Sequence, residues 1–149
     1  MAKISVLTTT PLSGYNHIDA LLNSSPDWNY FQPAVANTLL YSFSLPTTSS
    51  TSVKGEVVFT PQQQFEARKA IAELAKYTGI RFVETQDAGS AQIVLCNADI
   101  TSSAQTMGLA SWRYSYDEAD DGTFTDYNAY GTLYMDNVEY AAQNANLTP

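Results

Sequence analysis

Between Thr38 and Leu45 the side chains alternate: Leu39, Tyr41, Phe43 and Leu45 face one way, and Thr38, Leu40, Ser42 and Ser44 the other. A period of two is that of a half-buried strand. The pattern then breaks. Pro46 to Lys54 is Ser/Thr-rich, with Val53 its one large apolar side chain, and reads as a loop. At Thr60 the period becomes helical. Thr60 can accept from the first free N–H groups, Pro61 suits the first helical position, and Gln63 can close a capping box. Ala67, Ile71, Leu74, Ala75 and Thr78 form one stripe at helical spacing, and Gly79 supplies a left-handed stop. The spacing predicts a helix from Pro61 to Thr78, packed by that stripe onto a sheet.

Four more strands follow: Ile80 to Glu84, Gln92 to Cys96, Leu109 to Tyr116 and Thr132 to Val138. The second is apolar on both faces, the mark of a central strand. In the third, Ala110, Trp112, Tyr114 and Tyr116 share a face. Near the start, Ile18, Leu21 and Leu22 suit a short amphipathic helix, ended by Ser24-Ser25-Pro26. The order predicts an α/β (α+β) fold: a twisted mixed five-stranded sheet with one long helix packed on it. A crossover through that helix makes the first two strands parallel. One domain spans 1–149, divided into an N-terminal segment (1–37) and a sheet-plus-helix part (38–149). One helix covers one face of the central strand. The other apolar face predicts an uncovered patch that a partner or second copy would occupy.

Charge narrows the partners. A net charge of -8, from 15 acidic and 7 basic residues, repels nucleic-acid phosphates and anionic membrane surfaces. No run of about 18 apolar residues is present, and Met1-Ala2-Lys3-Ile4-Ser5 lacks the apolar stretch of a secretory signal. The one cysteine, Cys96, lies in the apolar run Ile93–Cys96 and reads as a buried, inert thiol. The one histidine, His17, has no companion ligands at metal-site spacing. The acidic stretch Asp117-Glu118-Ala119-Asp120-Asp121-Gly122, with Asp126 beyond, invites calcium. Ala119 and Asn128 occupy positions where a calcium loop needs oxygen ligands, so a solvated turn is the simpler reading. There is no Gly-rich phosphate loop and no G-x-S-x-G. The residues alone supply a sheet and a helix without a catalytic set.

An ordered series of segments resembles one family. Asn16-His17-Ile18-Asp19-Ala20-Leu21-Leu22, then Trp28 and Tyr41-Ser42-Phe43, looks like the start of serralysin proteases, which are metzincin zinc metalloproteases. Phe59-Thr60-Pro61-Gln62-Gln63 through Tyr77-Thr78-Gly79-Ile80-Arg81-Phe82 resembles their long first helix and following strand. Ala91–Leu95, Gly108–Trp112 and Gly131–Asp136 resemble the family's next three strands. The resemblance implies the N-terminal subdomain of a secreted bacterial endopeptidase, exported without an N-terminal signal peptide. The H-E-x-x-H helix, the Met-turn and the calcium-binding Gly/Asp repeats do not occur in the 149 residues. Zinc and calcium are therefore expected in the full-length protein, none is expected on this chain, and the chain alone is expected to be inactive. The edge strand Leu109, Ala110, Ser111, Trp112 and Arg113 would pair with extended peptide or protein substrate by main-chain hydrogen bonds. The remainder of the protease, or self-association, would complete the assembly. The alternative from another class is a non-catalytic, stand-alone peptide-binding module of the same fold.

Overall fold

The computed structural model describes residues 14–16 and 33–145. These residues form an α+β fold of six strands and two helices: β1 (Thr38–Ser42), β2 (Val53–Val58), α1 (Pro61–Thr78), β3 (Arg81–Glu84), β4 (Ile93–Ile100), β5 (Gly108–Glu118), β6 (Phe124–Asp136) and α2 (Ala141–Ala145). The short helix expected around Ile18, together with His17 and Trp28, lies outside the described residues. No helix among those described is long and apolar enough to cross a membrane. Two compact units are distinguished: Pro33–Ser111 with the chain from Gly131 onward, and, among described residues, the stretch Trp112–Tyr130 with Gly14–Asn16.

The first unit holds most of the sheet. The strand order is β3-β1-β4-β6-β5, and β2 also pairs with β4. β1 is parallel to β3 and β4, β4 is parallel to β6, and β2 is antiparallel to β4. The mixed sheet and the parallel first pair agree with the sequence pattern. The sixth strand, β2, corrects the expected five. Gly55 takes φ +63 and the register shifts between Lys54 and Val57, so the side-chain alternation that marks a strand is broken there. β1 also stops earlier than the alternation suggests. Ser44 N donates to Ser42 Oγ, Ser44 Oγ donates to Gln86 O, and Leu45 is left exposed.

α1 has the expected ends. Gln63 N donates to Thr60 Oγ1 and Thr60 N to Gln63 Oε1, a complete capping box, while Gly79 closes the helix at φ +68. Its inward line runs through buried Gln63 and half-buried Ala67, Ile71 and Ala75. Leu74, placed by periodicity in the packed stripe, is 53% exposed. A strict four-residue step follows one ridge inclined to the helix axis, and Leu74 lies off that ridge. Arg68 grips Glu84 of β3 through Nε–Oε2 at 2.7 Å and Nη2–Oε1 at 2.8 Å, and Tyr41 Oη donates to the same carboxylate at 3.1 Å. This fork fixes α1 over β1 and β3.

The core divides by sheet face. Under α1 lie Tyr41, Phe43 and Phe59, with Ala67, Ile71, Phe82, Ile93, Leu95 and Met135 packed around them. The opposite face is Val53, Cys96, Ala98, Ile100 and Tyr134, with Leu109 packed against them. On that second face β4 shows no open patch among the described residues: Val94 is 5% and Cys96 0% exposed within the single chain. Ser50 of the Ser/Thr-rich loop donates its N–H to Tyr134 Oη of this cluster, and Val53 is part of it. Burial pushes the Cys96 thiol up to about 12, with the nearby Glu56 charge adding to the shift. Such a thiol is unreactive.

The second unit carries the rest of β5 and β6 and the turn between them. Ala119 N donates to Thr123 O, Gly122 N to Ala119 O, and Gly122 takes φ +77. Asp121 Oδ1 accepts from Thr123 N and Oγ1, so this acid is used in closing the turn. The rings of Tyr114, Tyr116 and Tyr127 lie near-parallel, with centroids 6.0 to 6.4 Å apart.

Candidate functional site

β5 ends the strand order and, among the described strands, pairs with β6 alone. Asp136 N donates to Met107 O just before β5 begins, and Ala119 N donates to Thr123 O just after it ends. Bonds so placed at the two ends make β5 and β6 antiparallel. Of the predicted substrate-pairing residues, Leu109, Ala110 and Ser111 belong to the first unit, and Trp112 and Arg113 to the second. Leu109 is half-buried against the Val53–Tyr134 cluster and therefore points away from α1. Alternation then sends Gly108 and Ala110 to the α1 face. A Cβ on Gly108 would sit 3.5 Å from Met135 Sδ, and Met135 packs in the α1 cluster, which agrees. Moving two residues along an antiparallel pair sets Ala110 beside Leu133. Leu133 faces the same way, since its β4 partner Leu95 is in the α1 cluster. It is 43% exposed, unusual for an apolar residue of an interior strand.

The strongest polar feature joins α1 to the ends of the central strands, and sequence reading missed it. Gln63 and Asn97 form a reciprocal amide pair, Gln63 Nε2 to Asn97 Oδ1 at 2.8 Å and Asn97 Nδ2 to Gln63 Oε1 at 2.9 Å. Gln63 Nε2 also donates to Asn144 O at 3.0 Å, and Asn144 Nδ2 donates to Met107 O and Asp136 O. All three amides are buried. Asp136, at the end of β6, accepts from the N–H groups of Val138 and Tyr140 on Oδ1 and of Ile100 on Oδ2. Burial works to raise its pKa, but these backbone donors outweigh it and hold the carboxyl below its ordinary range. The local signal was present: Asp136 at a strand end before Asn137-Val138-Glu139 has the form of a residue capping the turn that follows.

Asp99, Asp136 and Glu139 bring three carboxylates within 4.8 Å of one another. This donor set does not fit zinc, which takes His nitrogen and Cys sulfur in most protein sites. The one Cys is fully buried in the opposite core cluster. Nor is the trio an open oxygen cage. Three backbone N–H groups already occupy Asp136, and Lys54 Nζ lies 3.2 Å from Asp99 Oδ2. Asp136 alone ties the end of β6 to the end of β4, through the bond from Ile100 N. No protein-family model matches the chain, and no curated protein matches it either.

Proposed function

We propose that this chain binds extended polypeptide by strand addition along β5, and that it does so as the sheet-bearing part of a secreted zinc endopeptidase. The observation that carries the proposal is the position of β5 at the end of the sheet, antiparallel to β6. A sheet edge offers alternating N–H and C=O groups, which pair with any extended backbone and need no particular side chains. The resemblance to serralysins along most of the sequence supports the protease form. In that form the zinc supplies activation of water, and calcium and export belong to the full-length enzyme. This chain's own task is to bind and orient the substrate, with the rest of the protease as its partner. A stand-alone peptide-binding module is the second reading. It rests on the same edge position of β5 and needs no metal.

Peptide binding is tested by titrating the chain with extended peptides N-methylated at one backbone position at a time. Strand addition predicts that methylation weakens binding at every second position only, because alternate N–H groups point away from the sheet. A uniform effect, or no binding at millimolar peptide, overturns it. Zinc-dependent, chelator-sensitive casein cleavage by a gene product carrying H-E-x-x-H after Pro149 separates the enzyme from the module.

A further inference from the structure

We infer that Leu133 gives the β5 edge a preference for peptides with a large apolar side chain at one position. This rests on the strand-addition reading. The surface beside the edge on the α1 side is a strip of four residues. Gly108 and Ala110 lie on β5, and Leu133 and Met135 lie behind them on β6. Because the two β5 residues are the smallest available, nothing on β5 shields Leu133, which keeps 43% exposure. Gly108 is held small by its surroundings: a Cβ there would meet Tyr134 O at 3.3 Å.

A peptide added to β5 would lie about 4.8 Å from it and about twice that from β6. Its side chains on the α1 face would pass over Gly108 and Ala110. Two long side chains that flank a small residue can lean towards each other over it, whereas Ala and Ser are too short to do so. A Leu, Met or Phe opposite Ala110 would therefore cross the gap left by the small β5 residues and rest on Leu133. The four strip residues carry no charge and no polar side-chain atom. A Lys or Glu directed onto it would lose hydration without gaining a partner. The strip thus selects size and apolarity together, at the position facing Ala110.

The test uses peptide pairs that differ only by Leu or Ala, in the register fixed by the N-methyl scan. The wild-type chain is expected to bind the Leu peptide roughly tenfold more tightly, the low end for an apolar contact of this size. Leu133→Ala is expected to bring the two peptides within about twofold of each other while keeping the alternate N-methyl pattern. Ala110→Leu, which fills the strip from β5 itself, is expected to erase the preference in the same way. Because Leu133 is partly exposed, both variants are expected to keep the wild-type circular dichroism. If no peptide binds, strand addition fails and the inference goes with it. If peptides bind with the alternate pattern but without a Leu preference, or the preference survives in both variants, the inference alone is overturned.

Discussion

Gln63 has two jobs, and removing its side chain should cost far more than a helix cap. In Gln63→Ala, Asn97 Oδ1 loses its donor and the Asn144 carbonyl loses the bond from Nε2, both in a buried region. Thr60 N loses its acceptor at the same time. Asn97 Nδ2 keeps a 3.3 Å bond to Val58 O, so that atom is not stranded. Two buried orphans at about 1–3 kcal/mol each, with about 1 kcal/mol for the capping box, give about 3–7 kcal/mol. That is a large share of the ~5–15 kcal/mol that holds a domain together. At about 2–4 °C per kcal/mol for a chain of this size, the thermal midpoint drops by roughly 6–28 °C. Gln62→Ala is the control. Gln62 is exposed and reaches only Glu66, at 3.1 Å, so its loss is expected to stay within about 0.5 kcal/mol. The double variant Gln63→Ala/Asn97→Ala removes both partners of the amide pair. It is expected to fall short of the sum of the singles by about 1 kcal/mol or more. Thermal and urea unfolding followed by circular dichroism reads all three. A Gln63→Ala midpoint equal to that of Gln62→Ala refutes the reasoning.

Asp136 has a native pKa below its unfolded value, so its contribution is complete above the ordinary carboxylate range, near pH 4, and is lost as pH falls through the lower native value. Asp136→Asn is expected to be less stable at neutral pH and to lose less on acidification; equal acid slopes for variant and wild type would contradict this. Glu84, held low chiefly by its hydrogen bond from Arg68, adds a slope of the same sign in both proteins and cancels in the comparison. On α1, Leu74→Asp is expected to change stability by less than about 1 kcal/mol. Ile71→Asp, under the Tyr41–Phe43–Phe59 cluster, is expected to cost several kcal/mol, and the reverse ranking by urea unfolding would show the packing to be wrong.

What could be read from the sequence was local. Thr60, Pro61, Gln63 and Gly79 mark both ends of α1 because caps act within a few residues of one another. β4 was legible as central because an apolar run on both faces has few other homes. β2 was hidden because Gly55 and the register shift beside it destroy the period of two. Leu74 was misplaced because an ideal helical wheel does not say along which ridge the sheet meets the helix. The bond from Ile100 N to Asp136 depends on Ala98 lying beside Asp136 in a parallel pair, a neighbourhood made only when β4 and β6 meet. The β5 strand itself was readable, but the exposure of Leu133 behind it needed the pairing of Ala110, and no spacing along the chain reports that.

The way β4 is framed bears on how the molecule reaches this state. Tyr41 and Ser42 of β1 and Val53 to Val58 of β2 share one side of it, and Gly131 to Asp136 of β6 takes the other. The β1 and β6 ladders are parallel, so each joins stretches far apart in the chain, and each must close a long loop before any of its bonds form. The capped helix α1 and the β5–β6 hairpin close over short distances and can be sampled early. A chain whose central strand waits on remote partners has high contact order and belongs among the slow folders, in the millisecond-to-second range. Until β4 is framed, the apolar sides of Ile93 to Cys96 stay open, and that interval is when the protein is most exposed to aggregation.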